Sequence, residues 1–219
     1  MQSFLDSWLA FAEGPGFLVA AAIFIIGGLW RIIGILRMGG KRDLAPPEHS
    51  PALGFIRGNL RHFVPRAVFA RRTWLHLVGG YAFHVGLLVL LLGAAPHVRF
   101  IERHIVSLPW PPLPHWAFIV VAEIAFAGLI LLWVRRISDP VMRLISDTND
   151  HFGSIFTFLV MLTGCLALQE SHVSLRAIHM TLADLWLIII PFTRLAHTFT
   201  FWLSRGFTGA IYGRRGIVP

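Results

Sequence analysis

The sequence has one cysteine, eleven acidic residues and few charges of any kind. A single thiol excludes both a disulfide framework and a thiolate-held metal cluster, and Cys165 lies inside the apolar run FTFLVMLTGCLAL. At 14% charged and 56% hydrophobic residues, the chain is too apolar for an ordinary soluble domain. Residues 1–30 contain no Lys or Arg, so the basic flank of a cleavable signal is missing and none is expected. Strand-like alternation and a repeat of fixed period are lacking as well. Within the long apolar runs the only carboxylates are Glu123 and Asp184, too few to complete a metal site built on bare imidazoles. The net charge of +8 would suit a nucleic-acid ligand, but its distribution points to a membrane.

Apolar length is what the chain has in abundance. Runs able to cross a hydrocarbon layer of about 30 Å occur at Phe17–Leu36, Trp74–Ala95, Trp116–Val134, Phe152–Leu168 and Ile178–Leu203. A chain in lipid must satisfy its backbone internally, so the expected fold is an all-α integral membrane bundle of five transmembrane helices. Fourteen of the nineteen Lys and Arg residues fall on one side of these runs: eight within 37–72, then Arg135, Arg136, Arg143, Arg205, Arg214 and Arg215. Arg99, Arg103 and Arg176 fall on the other, while Arg31 and Arg194 lie within runs near their basic ends. The excess places the N-terminus outside and the C-terminus in the cytoplasm. Residues 1–219 then form a single membrane domain with a basic cytoplasmic loop, 37–72, and a basic cytoplasmic tail, 204–219. The loop, with Pro46, Pro47, Pro51 and Pro65, suits a lipid-headgroup anchor or the docking of a soluble partner. The Pro- and Trp-rich stretch RFIERHIVSLPWPPLPHW is expected to cap the outer end.

Five of the eleven histidines lie in or beside the runs: His76, His84, His97, His179 and His197. Ionisable groups in a membrane are costly and mark pathways, relays or ligands. In IHMTLADLWLIIIPFTRLAH, His179 and His197 are eighteen residues apart. On one continuous helix that is about five turns and roughly 27 Å, so both rings would share a face at opposite depths. Haem needs only two axial imidazoles on facing helices and a cavity lined by small and aromatic residues. YAFHVGLLVLLLGAAPHV offers such a lining through Gly79, Gly80, Gly86 and Gly93. With spans two and five antiparallel, His84 and His197 meet near the cytoplasmic side, and His179 needs an outer partner, of which His97 is the nearest. Arg194, one turn before His197, suits a haem propionate or a lipid headgroup. The alternative, from another class, is a non-haem membrane anchor or small transporter whose histidines serve as structural polar glue or proton relays.

PFTRLAH with a histidine eighteen residues before its own, together with FHVG in the second of five spans, resembles the gamma subunit of respiratory nitrate reductases. The same cytochrome b family includes membrane subunits of heterodisulfide-reductase-like and sulfite-reductase-linked complexes. The resemblance covers nearly the whole chain. It implies a haem b subunit of the bacterial or archaeal cytoplasmic (inner) membrane, passing electrons between the quinone pool and a cytoplasmic iron–sulfur partner. It also implies that His84 and His197 bind a cytoplasm-side haem and that His179 binds an outer one. In the family the remaining ligand stands ten residues after the FHVG histidine, directly after a glycine, at the position held here by Ala94 after Gly93. Alanine cannot bind iron, so either one haem b or two is expected, the second requiring a substitute ligand. His97 is one candidate, with His104, His115 and His172 as others. On a regular helix the thirteen steps from His84 turn about 1300°, which aims His97 away from the face of His84, unless Pro96 or a helix end re-aims it. Arg99 and Arg103 are candidates for the basic residue of the family's outer quinol site.

Overall fold

The computed structural model describes residues 2–38, 46–61, 63–64 and 67–217. Lys41, Arg42 and Arg66 of the basic loop and the last two residues of the tail lie outside the described residues. The chain is 85% helical, with no strand among the described residues. Among the described residues, five helical stretches are long and apolar enough to cross a membrane: Gln2–Met38, Thr73–Gly93, His115–Ser138, Thr148–Ala167 and Val173–Phe192. The first thus begins well before Phe17.

In chain order the helices are α1 (Gln2–Phe11), a π-helical turn (Ala12–Gly16), α2 (Phe17–Met38), α3 (Pro51–Arg61), α4 (Ala67–Gly93), α5 (Ala95–His104), α6 (His115–Ser138), α7 (Pro140–Ile145), α8 (Thr148–Ala167), α9 (Val173–Ile189) and α10 (His197–Arg214). Two 3₁₀ turns, Ile190–Phe192 and Arg194–Ala196, separate α9 from α10. This corrects the continuous fifth span expected over Ile178–Leu203. Pro191 supplies no N–H and crowds the preceding turn, and Thr193 is extended. The continuous helix on which the eighteen-step relation of His179 and His197 depended is therefore absent.

The chain divides into two compact units, Met1–Ala21 with Trp74–Ile188, and Ala22–Thr73 with Ile189–Pro219. In the first unit, Leu90, Ala94, Phe118, Ala122, Ala125, Leu129 and Met161 form the buried core. Small residues let α4 and α6 approach closely, as usual where lipid offers no hydrophobic drive to association. A side chain at Gly86 would meet the Ala125 Cβ at 2.7 Å, and one at Gly128 would meet the Phe83 backbone nitrogen at 2.6 Å. Trp186 Nε1 donates to Thr157 Oγ1 at 3.0 Å and ties α9 to α8. Asp147 and Asp150 form a reciprocal capping box at the start of α8, which satisfies two otherwise unpaired amides there.

In the second unit, α3 and α10 pack backbone against backbone. A side chain at Gly209 would meet the Gly54 carbonyl oxygen at 2.3 Å and the Gly58 Cα at 2.7 Å. One at Gly206 would strike the Phe55 ring at 2.1 Å. Part of the basic loop is thus a helix seated on the tail. Arg31 donates through Nε to the Pro191 carbonyl at 2.6 Å, which provides a partner where the helix is interrupted.

Candidate functional site: a histidine pair beside a helix break

The site begins where α4 stops. Ala94 is extended, at φ −64° and ψ 130°, and Pro96 stands in the first turn of α5. Proline there ends one helix and starts the next, because its missing N–H and fixed φ fit the first turn and not an interior. The Pro- and Trp-rich loop covers the exposed end of α4: Leu113 N donates to the Gly93 carbonyl at 2.8 Å, and Trp110 Nε1 donates to the Leu92 carbonyl at 2.7 Å. Ala94 itself is 4% exposed and belongs to the core.

The break re-aims His97. Its ring lies 5.9 Å from that of His179, centroid to centroid, with planes only 14° from parallel. Both rings are tethered through Nδ1. His97 Nδ1 lies 3.1 Å from the Leu91 carbonyl, an acceptor only, so Nδ1 carries the proton and the lone pair sits on Nε2. Packing around the ring holds His97 below the usual histidine range, partly offset by the Leu91 and Leu90 carbonyls, which favours the neutral imidazole that binds metals. His179 Nδ1 lies 3.2 Å from Thr163 Oγ1. The Thr163 hydroxyl has carbonyls of Leu159 and Val160 at 3.0 Å to receive its proton, so its oxygen accepts from His179. Gly164 lies against the His179 ring: a side chain there would come within 2.9 Å of Cε1.

Two imidazole nitrogens binding one metal at about 2 Å each put the ring centroids roughly 6 Å apart. The 5.9 Å separation of His97 and His179 matches that spacing. Hydrogen bonds from the remote nitrogens to a carbonyl and a hydroxyl are what fix tautomer and ring angle in such ligation. Among the described residues no three His, Cys, Asp or Glu side chains gather as a metal site.

Around this end of the first unit lies a network of charges. Arg99 pairs with Glu170, and Arg176 bonds Glu13 at 2.7 Å and approaches Glu170 at 3.7 Å. Arg99 is thus engaged with a carboxylate of this chain. His104 bonds the carbonyl of Phe100, on its own helix.

His84 lies on α4, in the first unit, with Nδ1 2.8 Å from the Gly80 carbonyl. His197 is the first residue of α10, in the second unit, with Nδ1 2.9 Å from the Arg194 carbonyl. Each bond puts a proton on Nδ1 and the lone pair on Nε2. Arg194 is exposed in the second 3₁₀ turn. Sequence reasoning missed Thr163 and Gly164. Their signal is a polar residue and a glycine side by side within the apolar run of α8.

No family model and no solved structure matches the chain. It is 28% identical over 217 residues to a protein of Nitratidesulfovibrio vulgaris (strain Hildenborough), covering 94% of this chain and 95% of that one. It is 25% identical over 247 aligned residues to the Hdr-like menaquinol oxidoreductase cytochrome b-like subunit of Archaeoglobus fulgidus, covering 82% of this chain and 73% of that one. By sequence, then, the chain is a multi-pass membrane protein distantly related to a cytochrome b-like subunit.

Proposed function

We propose that the protein is a haem b membrane subunit of a respiratory oxidoreductase complex, passing electrons between membrane quinol and a cytoplasmic iron–sulfur subunit. The observation that carries this reading is the His97–His179 pair, parallel within 14° and 5.9 Å apart. The distant likeness to the Archaeoglobus fulgidus subunit supports the same class. In this reading His97 and His179 hold an outer haem b, His97 taking the part that Ala94 cannot. The motif resemblance assigns His84 and His197 to a second, cytoplasm-side haem and Arg194 to a propionate; that assignment rests on sequence. The N-terminus is outside and the C-terminus cytoplasmic, in the cytoplasmic membrane of a bacterium or archaeon.

Bound haem supplies one-electron chemistry at a potential set by its axial ligands and their surroundings. The chain's own part is to hold and orient. The Leu91 carbonyl and the Thr163 hydroxyl hold the two Nδ1 protons, which leaves each Nε2 as donor and raises its basicity. The loop 105–114 covers the end of α4 and keeps water from the break.

The test is haem b per chain, by pyridine haemochromogen, in wild type, His97→Ala, His179→Ala and His84→Ala. Two haems are expected in wild type. The first two variants should each lose the same haem, and the third a different one. A colourless wild type from membranes grown with ample haem would sink the proposal in favour of an anchor or transporter.

A further inference from the structure

Of the two carboxylates in the apolar runs, Asp184 has no part in the histidine site. It lies eleven residues into α9, about 16 Å along the axis and so near the middle of a hydrocarbon layer about 30 Å thick. It is 8% exposed, and its Oδ1 is buried without a hydrogen-bond partner. Opposite stands the π-helical turn Ala12–Gly16, with Pro15 inside it. A side chain at Gly16 would come within 3.1 Å of Asp184 Oδ2, so the glycine leaves the room that the carboxylate occupies. Single π-helical turns are frequent at functional sites, and unpaired acids within membrane helices mark proton relays.

Toward the start of α9, polar groups continue from Asp184. Thr181, one turn earlier on α9, accepts from Trp8 Nε1 at 3.0 Å and donates to the Ala177 carbonyl at 2.8 Å. Further toward the start of α9, Arg176 bonds Glu13 of the π-helical turn at 2.7 Å and leads to Glu170 and Arg99. In the other direction the sequence is LWLIII. The charged groups on the two facing elements, Glu13 and Arg176, are thus paired with each other. His179 projects about 140° away around α9, toward Thr163.

We propose that Asp184 is a proton-exchanging site in the membrane interior, connected through Thr181 and the Glu13–Arg176 pair to the water at the N-terminal end of α9. The ligand is a proton alone: the carboxylate gains it to become a carboxyl and returns it by the same route. The site requires neither haem nor quinol, and stands or falls independently of the proposed function.

The test uses the full-length protein in its own membranes, treated with dicyclohexylcarbodiimide over a series from about pH 5 to about pH 9. This apolar reagent adds to a protonated carboxyl. The carboxyl oxygen bonds the carbodiimide carbon, the proton passes to nitrogen, and an acyl shift leaves a stable acylurea without a leaving group. Peptide mass spectrometry separates label on Asp184 from label on Glu123. The expected result is label on Asp184 at the acidic end, falling about tenfold or more across the series and missing in Asp184→Asn. In Thr181→Val, the label should rise severalfold more slowly after an acid jump. No label at the acidic end, or equal label at both ends, would overturn the site. An unchanged rate in Thr181→Val would overturn the route. The wild-type series needs no variant to fold, and haem counted on the same membranes tests the other proposal separately.

Discussion

Gly164→Ala tests how tightly the histidine pair is built. The new methyl would lie 2.9 Å from His179 Cε1 and 3.4 Å from Nε2, whereas carbon atoms settle at about 3.5–4.0 Å. The ring must therefore yield by roughly half an ångström. It is tethered by Thr163 at 3.2 Å and faces His97 at 5.9 Å, so the displacement falls on the pair itself. Overpacking of this kind costs about 1–3 kcal/mol, against a gain of about 0.5–1 kcal/mol for replacing glycine inside a helix. The net loss is about 1 kcal/mol, which lowers the melting temperature by about 2–4 °C in a chain of this size. Gly34→Ala is the control, since a side chain there meets nothing within 4 Å and only the helix gain applies. The assay is thermal unfolding of the two purified variants, with the α-band and midpoint potential of each haem that the proposed function assigns recorded beforehand. Gly164→Ala should melt below Gly34→Ala and shift or lose one haem signal. Identical melting and identical spectra would refute the packing argument.

Further expectations follow from other contacts. Thr163→Val keeps the volume but removes the oxygen that accepts from His179; loss of such an outer partner costs about 10–100-fold in metal affinity. Titration of haem into the washed protein reads this loss, and Thr163→Ser should restore binding. Gly209→Ala should be more damaging than Gly164→Ala, because its methyl would lie 2.3 Å from the Gly54 carbonyl and 2.7 Å from the Gly58 Cα. Backbone cannot rotate aside as a ring can, so a loss at or beyond the upper end of about 1–3 kcal/mol is expected in thermal unfolding. Melting equal to that of Gly34→Ala would contradict it. Arg176→Gln should change stability by only about 0–1 kcal/mol in the same thermal unfolding, its pair with Glu13 being partly exposed; a larger loss would contradict this.

Five apolar runs and a helical membrane fold are legible because hydrophobic length is a local property of the sequence. The histidines near the ends of α4 and α9 are legible because ionisable groups are rare in such runs. Interruptions are harder to read. Pro191 and Pro96 were visible, but proline in a membrane helix can kink it without ending it. Only the extended residues Thr193 and Ala94 distinguish the two outcomes. For His97 the regular-helix geometry pointed the ring away from the face of His84, whereas the break at Ala94 sets it 5.9 Å from the ring of His179. The tether of His179 was illegible because it joins α8 to α9 across sequence: nothing near His179 in the chain indicates that Thr163 holds its ring.

The seating of α3 on α10 carries a consequence for biogenesis. Gly54 and Gly58 are made between the first and second apolar runs, while their cover at Gly206, Gly209 and Gly213 is made after the fifth. Synthesis proceeds at about 5–20 residues per second, so the glycine face of α3 waits roughly 7–30 s before its partner emerges. The second unit can close only once α10 has been made, and a chain stalled or clipped before α10 leaves that face bare. In effect the contact reports that synthesis has passed through all five apolar runs.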